Sequence, residues 1–326
     1  MATLPTSTRA MDDYFIRNWY DVKAEATDNI LESNVIYALL KEKKRFVQQR
    51  GGQFITRTVR YGEDTAENVQ KGDTLPQGEP DLKTAAQWTW KYIAGKVQRN
   101  IFDDQQNSGP TKIIDYVADR LDAAREAVTK QMNTNMIRAF TETEVERAFQ
   151  GLNHLVPPYV SRAAGTMGTI SRSNTWWQCK YKVFTAPMEV NLVSDMRNAY
   201  NTATNHQEPP NVIICSQTLF ELYEDFGLEM AQIIKDEASK LVDLGFDVLR
   251  FKGKPMVWTS GLEISTKEQM LMLNLDYIDV VYDPSMWFDM TNWKDIALEG
   301  TRIAHILSAL NMLTVQPRRH IRLYEA

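Results

Sequence analysis

The amino-acid sequence predicts an α+β fold, and three observations lead to this prediction. Apolar residues recur every three or four positions over 110–140, which is typical of one long helix. The stretch 51–97 contains two runs rich in β-branched and aromatic residues, separated by a polar segment with glycine and proline, as in a long hairpin. The rest of the chain mixes short strand-like runs with helical ones and contains no internal repeat.

The composition of this 326-residue chain is that of a globular protein. Hydrophobic residues make up 43% and charged residues 24%, and the mean hydropathy is −0.40. No stretch approaches the ~20 apolar residues of a membrane helix, and the first residues lack a secretory signal pattern, so we expect no membrane association. The net charge of −5 argues against a dedicated nucleic-acid binder. The two cysteines, Cys179 and Cys215, fit a reducing cytoplasm.

Local motifs for catalysis or for metal binding are missing from the sequence. The four histidines have no metal-helix spacing, neither cysteine has a CxxC partner, and no phosphate-binding loop occurs. We therefore expect no enzyme activity, no metal and no cofactor. Because distant residues can also assemble a site, a soluble α+β enzyme stays as an alternative.

Residues 1–50 are predicted to form an N-terminal arm followed by a first helix. The segment 1–28 is polar with scattered aromatic residues, which would anchor an extended arm. Asp28 is placed as a helix cap, and the apolar residues from Ile30 to Leu40 are spaced for one helical face.

The predicted hairpin over 51–97 carries the candidate contacts between subunits. Its first strand follows Gly51-Gly52, and its return strand would place three aromatic residues on one face, where they serve as interface anchors or pack within the hairpin. Its charge is segregated, with seven Lys/Arg and one acid over 41–60 and six acids and one Lys over 62–81. Such a split is usual in a solvated loop, but it would also let the loop tip of one subunit meet the basic base of another.

The basic residues 41–60 are, in addition, candidates for non-specific contacts with DNA phosphates. The candidate contact residues are Trp88, Trp90, Tyr92, Glu63, Asp64, Glu67, Arg57 and Arg60.

Beyond the long helix, which begins near Pro110 as a helix start does, the pattern alternates. Helices are predicted over 188–205 and 216–241, and the final run 303–315 is ambiguous between helix and strand. The predicted strands cover 212–215, 246–251, 255–259, 270–275, 277–282 and 321–324.

Three separated stretches resemble the major capsid (coat) proteins of tailed bacteriophages, which have the Hong-Kong-97-like fold. The first is 28–34 with 39–43, leading into Gly51-Gly52. The second is 151–157 with 168–170 and 172, followed by Asn174-Thr-Trp176-Trp177. The third is 243–246 with 251–258, completed by 273–274, 311–314 and 317–319. Their order covers most of the chain and agrees with the layout read from the residues.

The resemblance implies four parts: an N-terminal arm with the first helix (1–50), an extended loop (51–97), a peripheral domain with the spine helix (98–187 and 298–326), and an axial domain (188–297). It further implies a structural protein of an icosahedral virion shell, built from hexamers and pentamers around double-stranded DNA and assembled in the host bacterial cytoplasm. The expected partners are the chain itself, a separate scaffolding protein, a portal, and packaged DNA bound non-specifically. Some members crosslink through a loop lysine, but no partner for Lys71 or Lys83 is recognisable, so we expect no crosslink. An encapsulin-type shell, which shares the fold and encloses cargo enzymes, is the nearest alternative.

Overall fold

The structure is a computed structural model that describes most of the chain. The predicted arm, the beginning of the first helix, most of the loop tip, residues 138–140, the end of the helix after Met230 and residues 246–248 lie outside the described part. The described residues are 35–64, 66–70, 81–100, 110–137, 147–204, 208–230, 249–259, 262, 267–296 and 300–325.

The helices confirm the predicted long helix and the helices of the second half. The helix α2, here called the spine helix, has 28 residues and is about 42 Å long at 1.5 Å per residue. Its buried side chains, including Leu121, Val128 and Met132, recur with the predicted period along one face. The helices of the described ranges are α1 (Val35–Glu42), α2 (Pro110–Ile137), α3 (Leu152–Leu155), α4 (Met188–Ala203) and α5 (Gln217–Met230).

The described strands form two six-stranded sheets and two separate strand pairs. In chain order they are β1 (Phe46–Gln48), β2 (Phe54–Arg60), β3 (Lys83–Thr89), β4 (Lys91–Asn100), β5 (Thr166–Met167), β6 (Ile170–Ser171), β7 (Lys180–Val183), β8 (Val212–Cys215), β9 (Leu249–Phe251), β10 (Lys254–Trp258), β11 (Gln269–Leu273), β12 (Ile278–Tyr282), β13 (Asp289–Met290), β14 (Lys294–Ile296), β15 (Thr301–Thr314) and β16 (Ile321–Tyr324).

Sheet A is built around β15, the segment whose periodicity was ambiguous. This strand has 14 residues and pairs with β12, β13 and β14 along one edge and with β4 along the other. Residues 308–314 of β15 are all buried, including the polar Ser308, Asn311 and Thr314, so this half shows no alternation of buried and exposed positions. The spine helix packs on sheet A so closely that a Cβ atom on Gly95 of β4 would lie 2.5 Å from Cγ2 of Val128.

Sheet B has the strand order β7-β16-β11-β8-β10-β9. The helices α4 and α5 cover one face and bury Leu192, Met196 and Leu219 against Ile213 and Leu323 in a second apolar core. The main core contains the spine helix and sheet A, together with residues from the other face of sheet B such as Val212 and Leu271.

Strand pairing differs from the predicted domain ranges, because the chain crosses between the sheets more often than the sequence indicated. The strands β12, β13 and β14 fall in the range predicted to be axial, yet they pair within sheet A with β15. Conversely, β7 and β16 fall in the range predicted to be peripheral, yet they belong to sheet B.

Candidate assembly surface

The predicted hairpin is present as β2 and β3, which pair antiparallel from Phe54↔Thr89 to Arg60↔Lys83. A two-stranded hairpin has almost no core of its own, yet Ile55, Val59 and Trp88 on its inner face are buried. These residues are part of the main core, so the hairpin is docked on its own subunit.

The turn between β5 and β6 covers this inner face. The backbone N–H of Gln87 donates to the carbonyl oxygen of Gly168 at 2.9 Å. Gly168 has a φ of +60°, and a Cβ atom at this position would lie 2.6 Å from Cζ2 of Trp88. Only glycine fits both the backbone conformation and the contact with the indole ring.

Two tryptophans support the same turn and reach the end of the hairpin. Trp177 is 1% exposed, and its Nε1–H donates to the carbonyl oxygen of Met167 at 2.9 Å. Trp176 stacks on Tyr61, with ring centroids 4.8 Å apart. The β5–β6 turn and Trp176 therefore hold the hairpin at two places, near Trp88 and at Tyr61.

The prediction that Trp88, Trp90 and Tyr92 share one face is wrong. Trp90 lies between β3 and β4, and the buried positions change there from even numbers (Ala86, Trp88) to odd numbers (Ile93, Val97). Trp88 is 2% exposed and packs inside the subunit. Trp90 Nε1–H donates to the carbonyl oxygen of Gly52 at 2.8 Å, and Tyr92 is 58% exposed.

The predicted charged residues fall into two groups. Glu63, Asp64, Glu67 and Arg60 are exposed, as residues that contact a partner must be. Arg57 is half-buried on the inner face of the hairpin and belongs to a charged group within the subunit.

That internal charged group is centred on Asp279 of β12. Arg45 Nη2 lies 2.6 Å from Asp279 Oδ1. Burial raises the pKa of the Asp279 carboxyl, and the charges of Arg45 and Arg57 act in the opposite direction. Arg57 thus interacts with Asp279 at the hairpin base, whereas the prediction offers it to a neighbour.

A cleft between β4 and the spine helix was not predicted from the sequence. It has a volume of about 370 Å³ and an apolar floor that includes Gly95 and Val128. Tyr92, Lys96 and Arg147 also line it, and none of the described lining residues is a carboxylate. The residues that line it are far apart in the sequence. Gly95, a glycine within a β-rich run, is the one feature of the sequence that indicates a close approach of another element to β4.

Both cysteines and two of the described histidines are buried in the core. Burial raises the pKa of the Cys179 thiol to about 11 and also raises that of Cys215. Burial lowers the pKa of the imidazoles of His154 and His320 to about 3. In the described ranges, no three His, Cys, Asp or Glu residues are grouped so as to hold a metal ion. Among these same residues, no helix has the length and apolar character needed to cross a membrane.

Comparisons with known proteins identify the fold. No protein-family model matches the chain, and no curated protein does either. The capsid of cyanophage A-1(L) matches with a TM-score of 0.63 and 14% identity, covering 86% of this chain and 89% of that one. The capsid of Myoviridae phage XM1 matches with a TM-score of 0.55 and 10% identity, over 87% and 91% of the two chains. The SrpI encapsulin of Synechococcus elongatus matches with a TM-score of 0.53 and 10% identity, over 87% and 86%.

These matches extend over 86–91% of each of the chains compared. At such identities the likeness concerns the fold, and an encapsulin shares it with the phage proteins. The chain therefore has the Hong-Kong-97-like fold of tailed-phage major capsid proteins that the sequence predicted.

Proposed function

We propose that this chain is a structural major capsid protein that self-assembles as hexamers and pentamers into an icosahedral shell around the double-stranded DNA of a tailed phage. The observation that carries the proposal is the fold match to the cyanophage capsid over 86% of the chain, with the highest TM-score of the structures compared above. The burial of both cysteines and of two histidines in the core supports a structural role over a catalytic one. In this proposal sheet A with the spine helix is the peripheral domain, sheet B is the axial domain, and the protein is located in the virion after assembly in the host bacterial cytoplasm.

The hairpin supports the proposal because the described part of its acidic segment is exposed to solvent. The strand β3 has seven residues, which span about 24 Å at 3.4 Å per residue. Trp90 alone separates β3 from β4, so the acidic tip and the cationic cleft beside β4 lie on opposite sides of this residue. In this proposal the exposed Glu63, Asp64 and Glu67 contact the cleft with Lys96 and Arg147 on a second copy, and their opposite charges support it.

Such a contact joins two different surfaces of the same chain. Head-to-tail contacts of this kind close into rings when the rotation between copies allows it. Hexamers and pentamers are two closures of one such contact. The further partners that we propose, a separate scaffolding protein, a portal and non-specifically bound DNA, follow from the same role.

The test is electron microscopy of the full chain, purified after expression alone and after expression with the proteins encoded by neighbouring genes. We expect closed shells of uniform size in at least one of these preparations. Monomers or small oligomers in every preparation would contradict the proposal.

The second candidate is an encapsulin-type shell, which the match to SrpI encapsulin supports. Particle contents separate the two. Nuclease-treated particles from infected cells should retain protected double-stranded DNA if the chain is a capsid protein. Particles that lack DNA and contain a co-purifying enzyme would identify an encapsulin.

A further inference from the structure

Three tyrosines and one arginine are grouped at the β7 edge of sheet B. Tyr159 lies in a 3-10 turn, Tyr181 in β7 and Tyr324 in β16. The ring centroid of Tyr159 is 4.4 Å from that of Tyr181 and 5.7 Å from that of Tyr324. The guanidinium carbon of Arg162 lies 4.2 Å from the centroid of the Tyr181 ring and 5.6 Å from that of Tyr159.

Strand register brings this group together. The strands β7 and β16 are parallel, with Tyr181 opposite Arg322 and Val183 opposite Tyr324. Because side chains alternate between the faces of a sheet, Tyr181, Arg322 and Tyr324 share the face turned away from α4. The turn that carries Tyr159 and Arg162 crosses over this face.

Arg162 and Arg322 make the group cationic. Arg322 is 2% exposed and donates to Asn153 Oδ1 at 2.9 Å, to the carbonyl oxygen of Val156 at 2.8 Å and to the side-chain oxygen of Gln269, all neutral acceptors. Among the residues that the structure describes, no carboxylate forms an ion pair with Arg162 or Arg322. A buried charge of this kind adds positive potential to the surface above it.

Arg322 and Tyr324 both keep their donor protons at neutral pH. Burial lowers the pKa of the Arg322 guanidinium to about 10, so it stays charged at neutral pH. Burial, together with the neighbouring phenols of Tyr159 and Tyr181, raises the pKa of Tyr324, so its hydroxyl keeps its proton.

We propose that Arg162 and the hydroxyls of Tyr159, Tyr181 and Tyr324 form a binding site for the phosphates of a nucleic-acid backbone. Arginine and tyrosine donors commonly contact backbone phosphates, and Tyr159, 43% exposed, offers an aromatic surface to a sugar or base. An acidic protein segment would also pair with Arg162 but would gain little from the three rings, so nucleic acid is favoured. The proposal rests on the proposed function, in which the shell encloses DNA.

The test measures binding of a short DNA duplex to the unassembled full chain by fluorescence anisotropy over a range of salt concentrations. Arg162→Gln should weaken binding about fivefold and reduce the slope of log affinity against log salt by about 0.9, the value for one phosphate contact. Tyr159→Phe, which keeps the ring and removes the hydroxyl, should cause a smaller loss. Arg197→Gln makes the same charge change at an exposed position of α4, on the other face of sheet B, and is the matched control. Equal losses for the two arginine variants would overturn the proposal.

Two further measurements keep the result interpretable. Arg162→Lys retains the charge and should preserve the salt slope, and thermal unfolding of each variant shows whether the subunit is still folded. Polyglutamate is the second probe. If Arg162→Gln weakens polyglutamate binding as strongly as it weakens duplex binding, the site binds an acidic protein and the nucleic-acid assignment is refuted. Shell formation by the Arg162→Gln chain, seen by electron microscopy, tests the capsid role separately because the anisotropy assay needs no shell.

Discussion

Gly168 lies directly against the indole of Trp88, so that a Cβ atom on the glycine would come within 2.6 Å of Cζ2 and 2.7 Å of Cε2. This contact is where the hairpin meets the rest of its subunit. Trp88, which the sequence predicted to contact a neighbouring subunit, therefore anchors the hairpin to its own subunit. Stability and assembly should respond differently to substitutions on the two sides of Trp90.

Gly168→Ala should destabilise the subunit through this contact. The methyl group would overlap the ring and would have to adopt a φ of +60°, so we expect a loss of about 2–4 kcal/mol in the free energy of unfolding. Gly253→Ala is the control, because Gly253 has a φ of +73° and nothing within 4 Å of its Cβ position. Denaturant unfolding should give a loss of only about 1 kcal/mol for the control. Equal losses would mean that the contact with Trp88 is not tight.

Trp88→Ala and Tyr92→Ala should separate folding from assembly. Removing the buried indole should cost about 3–5 kcal/mol of unfolding free energy, as large core truncations do. Removing the exposed Tyr92 ring should change the unfolding free energy by less than about 0.5 kcal/mol but should lower the yield of sedimenting shells. A Tyr92→Ala chain that assembles like the wild type would remove Tyr92 from the candidate contacts.

The sequence could predict the elements whose pattern is local. The spine helix was predicted over 110–140 because one face repeats, and its described part spans Pro110–Ile137. The hairpin strands were recognisable from their β-branched residues and the turn chemistry between them. In each case the signal lies within the element itself.

Features that depend on tertiary pairing could not be predicted. The strand β15 is ambiguous because its second half is buried on both faces, which removes the alternation of buried and exposed positions. The buried positions change from even to odd numbers at Trp90, but Trp88, Trp90 and Tyr92 still occupy every second position of the sequence. The sequence therefore gives no sign of this change. The cleft and the tyrosine group join residues that are far apart along the chain, such as Tyr159 and Tyr324.

Gly95→Ala should loosen the packing of the spine helix on sheet A, and a second substitution should relieve the effect. The added methyl group would lie 2.5 Å from Cγ2 of Val128, an overlap that costs about 1–3 kcal/mol. In a Val128→Ala background the nearest other atoms are 3.6 Å and 3.8 Å away, so the same glycine substitution should cost much less. A double-mutant cycle of unfolding free energies measures this coupling. Additive losses would contradict the contact.

Stability should fall in acid partly because of two buried histidines. The pKa of His320 is lowered to about 3 by burial and by Arg319, and that of His154 by burial, Arg172 and Lys91. Between pH 6.5 and about 3 the unfolded chain binds protons that the folded chain does not, so unfolding becomes easier as the pH falls. Each histidine contributes a slope of up to about 1.4 kcal/mol per pH unit.

His320→Gln should flatten this slope in denaturant unfolding of the unassembled chain measured across that pH window. His305→Gln, at an exposed histidine of β15, is the matched control and should leave the slope unchanged. A His320→Gln chain with the wild-type slope would show that the histidine is not held neutral by the fold.

Replacing residues 62–81 with an Asn-Gly turn should leave the subunit folded and prevent shell formation. The ends of the deletion are already joined, because the backbone N–H of Tyr61 donates to the carbonyl oxygen of Leu82 at 3.1 Å. Asn-Gly is a favoured two-residue hairpin turn, and the contact of Tyr61 with Trp176 is retained. The unfolding free energy should therefore change by no more than about 1 kcal/mol, whereas electron microscopy should show no closed shells.

The triple variant Glu63→Gln, Asp64→Asn and Glu67→Gln keeps the loop length and should assemble weakly. Wild-type assembly should also fall as salt rises, because ions screen these charges. Intact shells from the shortened chain would contradict a role for the loop between subunits, and a flat salt response with normal assembly of the triple variant would exclude an electrostatic contact.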